Sequence, residues 1–174
     1  MPSSLTHDQL VQRAVRWLRQ PAHGRYANGQ YWRRSGCGVV VPEYHSWTAE
    51  IADAFGMAHG GYSCAIECKV SRGDLLRDRR KPKHQGHDSL GFEQLYLAPE
   101  GIIRPGDLPE RFGVLELQGP RNKLVLVRPP MPNTDRDVIA EIEVCYSLLR
   151  RAHVHGHLQD YLSPKWGGKR PPAL

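Results

Sequence analysis

The sequence predicts an α/β fold: a mixed central sheet flanked by helices, with one extra helix near the C-terminus. Three observations predict it. Residues 63–70, SCAIECKV, alternate with a period of two, as a strand requires. Residues 5–18 and 135–151 repeat apolar side chains at helical spacing. The elements then follow as helix, strand, hairpin, helix, strand, an order that places helices against a sheet.

The first helix is capped by Ser4 or Thr6 and carries Leu5, Leu10, Val11, Ala14, Val15 and Leu18. Pro21 ends it. Residues 22–36 are polar, basic and glycine-bearing and read as a loop. Residues 38–41 form a short strand closed by Pro42, with Glu43 directly after it. Residues 48–55, TAEIADAF, make the next strand, Gly60 and Gly61 supply a turn, and residues 63–70 return beside it.

From Ser71 the pattern becomes helical. Ser71 is a cap with Asp74 at the third following position, and Leu75 and Leu76 are expected to face the sheet. Arg77, Arg79, Arg80, Lys81 and Lys83 form a basic cluster, and Pro82 stops the helix. Residues 92–98 read as a strand and residues 99–109 as a turn-rich connection. Residues 113–117 and 123–127 form a hairpin. Residues 135–151 form the last helix, with Val138, Ile139, Ile142, Val144, Cys145, Leu148 and Leu149 on its apolar positions. Residues 1–158 read as one domain and 159–174 as a loosely ordered basic tail.

Composition bounds the chemistry. Of 174 residues, 40% are hydrophobic and 24% charged, the balance of a globular chain with a core. The formal net charge of +6 favours an anionic partner. Four cysteines lack the paired Cys-x-x-Cys spacing of a zinc site; Cys64 and Cys68 share one strand face as apolar fillers. No disulfide framework is suggested, which fits a reducing cytoplasm. No stretch is apolar for long enough to span a bilayer, and the N-terminus lacks a signal-peptide core, so no membrane partner is expected.

The chemistry concentrates in residues 63–78, SCAIECKVSRGDLLRD. Alternation puts Cys64, Ile66, Cys68 and Val70 on one face and Ala65, Glu67, Lys69 and Ser71 on the other. An acid beside a lysine is costly in a sheet unless it is solvated, paired or bound to a cation. Folding the hairpin about its glycines brings Asp53 opposite the 65–67 region, within reach across the strand pair. Asp53, Glu67 and Lys69 then converge, a set suited to holding Mg²⁺ or Mn²⁺ and acting on a phosphate. Glu43, at the end of a neighbouring strand, is a weaker ligand candidate. Glu50 falls on the opposite face by the same alternation.

An Asp, a hairpin and then Glu-x-Lys resembles the PD-(D/E)XK nuclease superfamily. The longer set is Glu50-Ile-Ala-Asp53-Ala-Phe-Gly56, Ile66-Glu-Cys-Lys-Val-Ser71, Asp74, Asp78, Leu95-Tyr-Leu-Ala-Pro-Glu-Gly101, Leu108-Pro109 and Gly113-Val-Leu115. It is similar to the phage and bacterial MmcB-like branch, described as DNA-repair-like nucleases. One departure is Ala52, where the superfamily name has proline.

The resemblance implies a restriction-endonuclease-like αβββαβ core. It implies a deoxyribonuclease that uses Mg²⁺ or Mn²⁺, in DNA repair or phage DNA processing, in the cytoplasm of a bacterial or phage-infected cell. Asp53, Glu67 and Lys69 would be catalytic. Asp53, Glu67 and the backbone carbonyl of Cys68 would bind the metal. Lys69 would orient water or stabilise charge on the phosphate. Read from the residues alone, Arg72, Arg77, Arg79, Arg80, Lys81 and Lys83 are either DNA contacts or a solvated helix end whose charges complement the helix dipole; Tyr96, Trp32 and Trp47 are either stacking residues for unpaired bases or core residues. Such nucleases often act as dimers, so a homodimer is a further expectation. The alternatives are a nuclease for RNA or branched DNA, a non-catalytic DNA-binding protein of the same fold, and an interaction protein with a basic surface.

Overall fold

The structure is a computed structural model, which describes residues 5–43, 52–78 and 89–156. The chain runs α1 (His7–Leu18), β1 (Ala22–Arg25), β2 (Tyr31–Arg34), β3 (Val39–Pro42), β4 (Ala54–Ala58), β5 (Tyr62–Cys68), α2 (Arg72–Asp78), β6 (Glu93–Pro99), β7 (Gly113–Gln118), β8 (Lys123–Arg128) and α3 (Val138–Val154). The fold is mixed α/β. Among the described residues, six strands form one sheet in the order β3-β4-β5-β6-β7-β8. β3, β4 and β5 pair antiparallel, β5, β6 and β7 pair parallel, and β8 returns antiparallel on β7.

α1 begins where its sequence places a cap. The Thr6 hydroxyl accepts the Gln9 N–H at 3.3 Å, and the Gln9 side chain accepts the Thr6 N–H at 3.0 Å. This reciprocal box satisfies two of the N–H groups a helix start leaves open. Leu10, Val11, Ala14, Val15 and Leu18 are all buried. They pack on Cys64, Ile66 and Cys68 of β5, Leu95 and Leu97 of β6, and Leu115 and Leu117 of β7. The cysteines are therefore core fillers, as their alternation predicts. Val70 leaves that row: it follows the end of β5 and is exposed.

The opposite face carries two smaller clusters. Phe55 and Ala65 pack with Ala140 and Val144 of α3. Leu75 of α2 packs with Tyr96, Leu108, Phe112 and Val114. The sheet thus lies between α1 on one side and α2 and α3 on the other.

Several local expectations are corrected. Residues 22–36 are not a loop: β1 and β2 form a two-stranded antiparallel hairpin. Its strands are short and rich in arginine, which hides the alternation. Yet Trp32 and Arg34 are buried. Arg34 donates to the Leu18 and Trp17 carbonyls at 3.0 and 2.8 Å and stacks 3.9 Å from the Trp17 ring centroid. The guanidinium caps the carbonyl end of α1, which explains a buried charge in this segment. β4 starts at Ala54, later than expected; residues 48–51, including Glu50, lie outside the described residues. Leu76 is exposed while Leu75 is fully buried, because adjacent helical residues differ by about 100°.

α3 shows the largest change. Of its apolar residues, only Ala140 and Val144 are buried; Val138, Ile139, Ile142 and Leu149 are exposed. An acid sets the rotation. Glu141 Oε1 accepts the Ser63 hydroxyl at 2.8 Å and the Gly91 N–H at 3.0 Å, and pairs with Arg136 at 3.3 Å. These charge-assisted bonds turn Glu141 toward the sheet and carry Ile139 and Ile142 away from it.

Candidate active site

The site forms at one end of the sheet, where β3 ends, β4 begins and β5 ends. The β4–β5 turn runs through His59–Gly61, with Gly60 and Gly61 at φ 73° and 72°. Those angles suit glycine. The ladder pairs Phe55 with Ala65 and Ala54 with Ile66. Continued by one residue, it sets Asp53 against Glu67. Antiparallel pairing and the two-residue period thus bring Asp53, Glu67 and Lys69 to one face.

Asp53 accepts the Cys68 backbone N–H on Oδ2 at 2.6 Å. Its Oδ1 is 3.4 Å from His7 Nε2, and the other ring nitrogen of His7 is 3.5 Å from Glu43 Oε1. Burial raises the Asp53 carboxyl above its ordinary value, and the negative charge of Glu67 raises it further. The Cys68 N–H, His7 and Lys69 oppose that rise.

Glu67 and Lys69 are both buried. Lys69 Nζ lies 3.2 Å from Glu67 Oε2 and 3.4 Å from Asp78 Oδ1. Asp78 Oδ2 accepts the Tyr96 hydroxyl. Tyr96 pairs with Glu67 in the parallel β5–β6 register, so both lie on the α2 side of the sheet. The site therefore has a buried floor of Glu67, Lys69, Asp78 and Tyr96, and a more open rim of His7 and Glu43.

The donor set suits a hard divalent ion. Asp53 and Glu67 offer carboxylate oxygens on one face. An ionised carboxylate has about four lone-pair sites, so Asp53 can keep its two contacts and still take an ion. A cation would also offset the repulsion between Asp53 and Glu67. His7, Asp8 and Glu43 form a second grouping whose ligand atoms lie within 4.8 Å of one another. It adjoins the first through His7. Glu43 has a positive φ of 41°, and its N–H donates to the Asp53 carbonyl at 3.0 Å. Non-glycine residues at such angles are uncommon and concentrate at functional sites.

Other expected residues have different surroundings. Arg72 grips both carboxylate oxygens of Asp107 and donates to the Ile102 carbonyl at 2.9 Å. It ties α2 to the β6–β7 connection and does not point a free guanidinium at DNA. Arg77 is well exposed, 4.0 Å from Asp74. Arg79, Arg80, Lys81 and Lys83 lie outside the described residues, as does Trp47. Tyr96 and Trp32 are not stacking platforms. Tyr96 is fully buried, and Trp32 is buried with its indole N–H donating to Glu93 at 2.7 Å.

Sequence reasoning missed His7 as part of the constellation, and gave Asp78 and Tyr96 no place beside Lys69. His7 carries one sequence signal, its position just after the Thr6 cap. Asp78 lies nine residues beyond Lys69, and only the turn into α2 brings it back.

Comparison with known proteins adds one structural likeness. A protein of unknown function from Silicibacter pomeroyi, SPO1766, is similar over 78% of this chain and 85% of that one, at 22% identity and a TM-score of 0.46. No family model matches the chain, and no curated protein matches it. Among the described residues, no helix is long and apolar enough to cross a membrane.

Proposed function

We propose that the chain is a divalent-metal-dependent nuclease with a restriction-endonuclease-like core, acting on DNA. One observation carries this reading: Asp53, Glu67 and Lys69 converge at one sheet end, with Asp53 on the Cys68 N–H and Lys69 3.2 Å from Glu67. The element order supports it. With the β1–β2 hairpin inserted after α1, and β7, β8 and α3 following, the succession α1, antiparallel β3, β4 and β5, α2 and parallel β6 has the αβββαβ order of that core.

Asp53 and Glu67 would hold Mg²⁺ or Mn²⁺ with the Cys68 carbonyl, and Glu43 and His7 would stand at the rim. The ion, when bound, supplies a lowered water pKa and positive charge against the phosphate. The chain's own residues do the rest. The Cys68 N–H and His7 fix the Asp53 carboxylate in place. Lys69 presents an ammonium to the charge that develops on phosphate oxygens. Arg77 and the basic residues at 79–83 attract the DNA backbone. DNA repair or phage DNA processing is the setting this activity suits.

The test is incubation with supercoiled, linear, single-stranded and branched DNA, with Mg²⁺, Mn²⁺ or a chelator. Cleavage should need the metal and vanish in Glu67→Gln and Lys69→Ala. Metal-dependent cleavage at the wild-type rate by Glu67→Gln would place the active site elsewhere. Cleavage of RNA alone would reassign the substrate.

A further inference from the structure

We propose that Asp78 is the positioning residue for Lys69, held in turn by the Tyr96 hydroxyl; this rests on the nuclease reading. The Lys69 ammonium sits between two carboxylates, 3.2 Å from Glu67 Oε2 and 3.4 Å from Asp78 Oδ1. The two acids are not equivalent. Glu67 stands opposite Asp53 and is a candidate metal ligand. Asp78 comes from α2 and lies 3% exposed.

A cation bound at Glu67 draws on the carboxylate that also holds Lys69. A metal at Glu67 would therefore weaken that carboxylate's hold on the ammonium. A flexible four-carbon stem would then let it swing. Asp78 keeps a second anchor that the metal does not compete for. Tyr96 is fully buried and pairs with Glu67 in register, so its hydroxyl fixes the Asp78 carboxylate from a rigid strand. The Tyr96 ring also lies under the lysine, its centroid 6.0 Å from Nζ. A buried acid beside a buried lysine is costly to keep unless the pairing is well satisfied. Here the pairing places Lys69 where the nuclease reading needs an ammonium.

The experiment uses the full chain and three variants: Asp78→Asn, Tyr96→Phe, and Leu75→Ala as a packing control on the same helix. Three quantities are measured: kcat and KM on DNA, Mn²⁺ affinity by the EPR signal of the free ion, and acetylation of Lys69 in metal-free protein by mass spectrometry. Asp78→Asn should lower kcat about 10²-fold, the scale of a misplaced catalytic group, with KM and Mn²⁺ affinity unchanged. It should also speed acetylation of Lys69 at least about tenfold, as an anchored amine becomes mobile. Tyr96→Phe should move both readouts the same way by less, and it serves if Asp78→Asn does not fold. Leu75→Ala should lower the melting temperature while leaving kcat within a few-fold of wild type.

Wild-type kcat and wild-type acetylation in Asp78→Asn would overturn the proposal. An equal fall in kcat in Leu75→Ala at matched stability would overturn it too, by assigning the effect to packing. If the wild-type protein cleaves no nucleic acid, the nuclease reading fails by itself. The acetylation arm then still decides whether Asp78 holds Lys69.

Discussion

Asp53 accepts the backbone N–H of Cys68 at 2.6 Å, so one carboxylate both closes the end of the β4–β5 ladder and faces Glu67. That double duty separates two substitutions. Asp53→Asn keeps an acceptor for the Cys68 N–H and should fold normally in chelator. Asp53→Ala loses it and should be less stable by about 1–3 kcal/mol, the cost of a buried donor left unpaired. Both should lose stabilisation by Mg²⁺ or Mn²⁺. In the wild type that stabilisation should reach about 2.7 kcal/mol at roughly a hundredfold excess over Kd. Thermal melting with each ion and with chelator checks this. An equal metal response in Asp53→Asn would remove Asp53 from the ligand set.

Arg34 should matter more to stability than its basic, polar segment suggests. Its guanidinium donates to the last carbonyls of α1 and covers the Trp17 ring. Arg34→Ala should cost about 1.5–3 kcal/mol by denaturant unfolding, the range for bonds that involve a charged group. Arg33→Ala, at an exposed neighbour, should stay within about 0.5 kcal/mol.

Glu93 should give stability a pH dependence. Burial raises its carboxyl above the ordinary value, although the Tyr62 hydroxyl, the Trp32 indole and Arg34 oppose that rise. The folded state therefore holds this proton more tightly than the unfolded chain. The linked stability is full below the unfolded value, near pH 4.3, and is lost as pH rises through the raised folded value. The stability advantage of wild type over Glu93→Gln should shrink across that window. Urea melts from pH 4 to 7 would show it, and an unchanged difference would mean that Glu93 is not the titrating group.

DNA affinity should fall steeply with salt if the basic residues from Arg77 to Lys83 meet phosphates. Arg77 is the exposed described member of that run. Arg77→Gln should reduce the slope of log K against log salt by about 0.9, one phosphate contact on duplex DNA. Arg72→Gln should act on stability instead, through Asp107 and the β6–β7 connection. A slope unchanged by Arg77→Gln would take this residue off the DNA surface.

The pairing of Asp53 with the 65–67 region was legible from period-two alternation and two glycines, because a strand has only two faces. The capping of α1 by Thr6 and the burial of Cys64 and Cys68 were legible for the same kind of local reason. Other features depended on partners distant in the chain. Arg34 looks like a loop residue until the carbonyls at the end of α1 take up its guanidinium. Ile139 and Ile142 look like core until Glu141 finds Ser63 and Gly91 and turns the helix. Asp78, Tyr96 and His7 join the site from three separate elements. Sequence by itself determined which residues share a face, since backbone period decides that locally. Tertiary structure decided which buried charges are neighbours, because a charge is buried only where distant segments supply its counter-ion and hydrogen bonds.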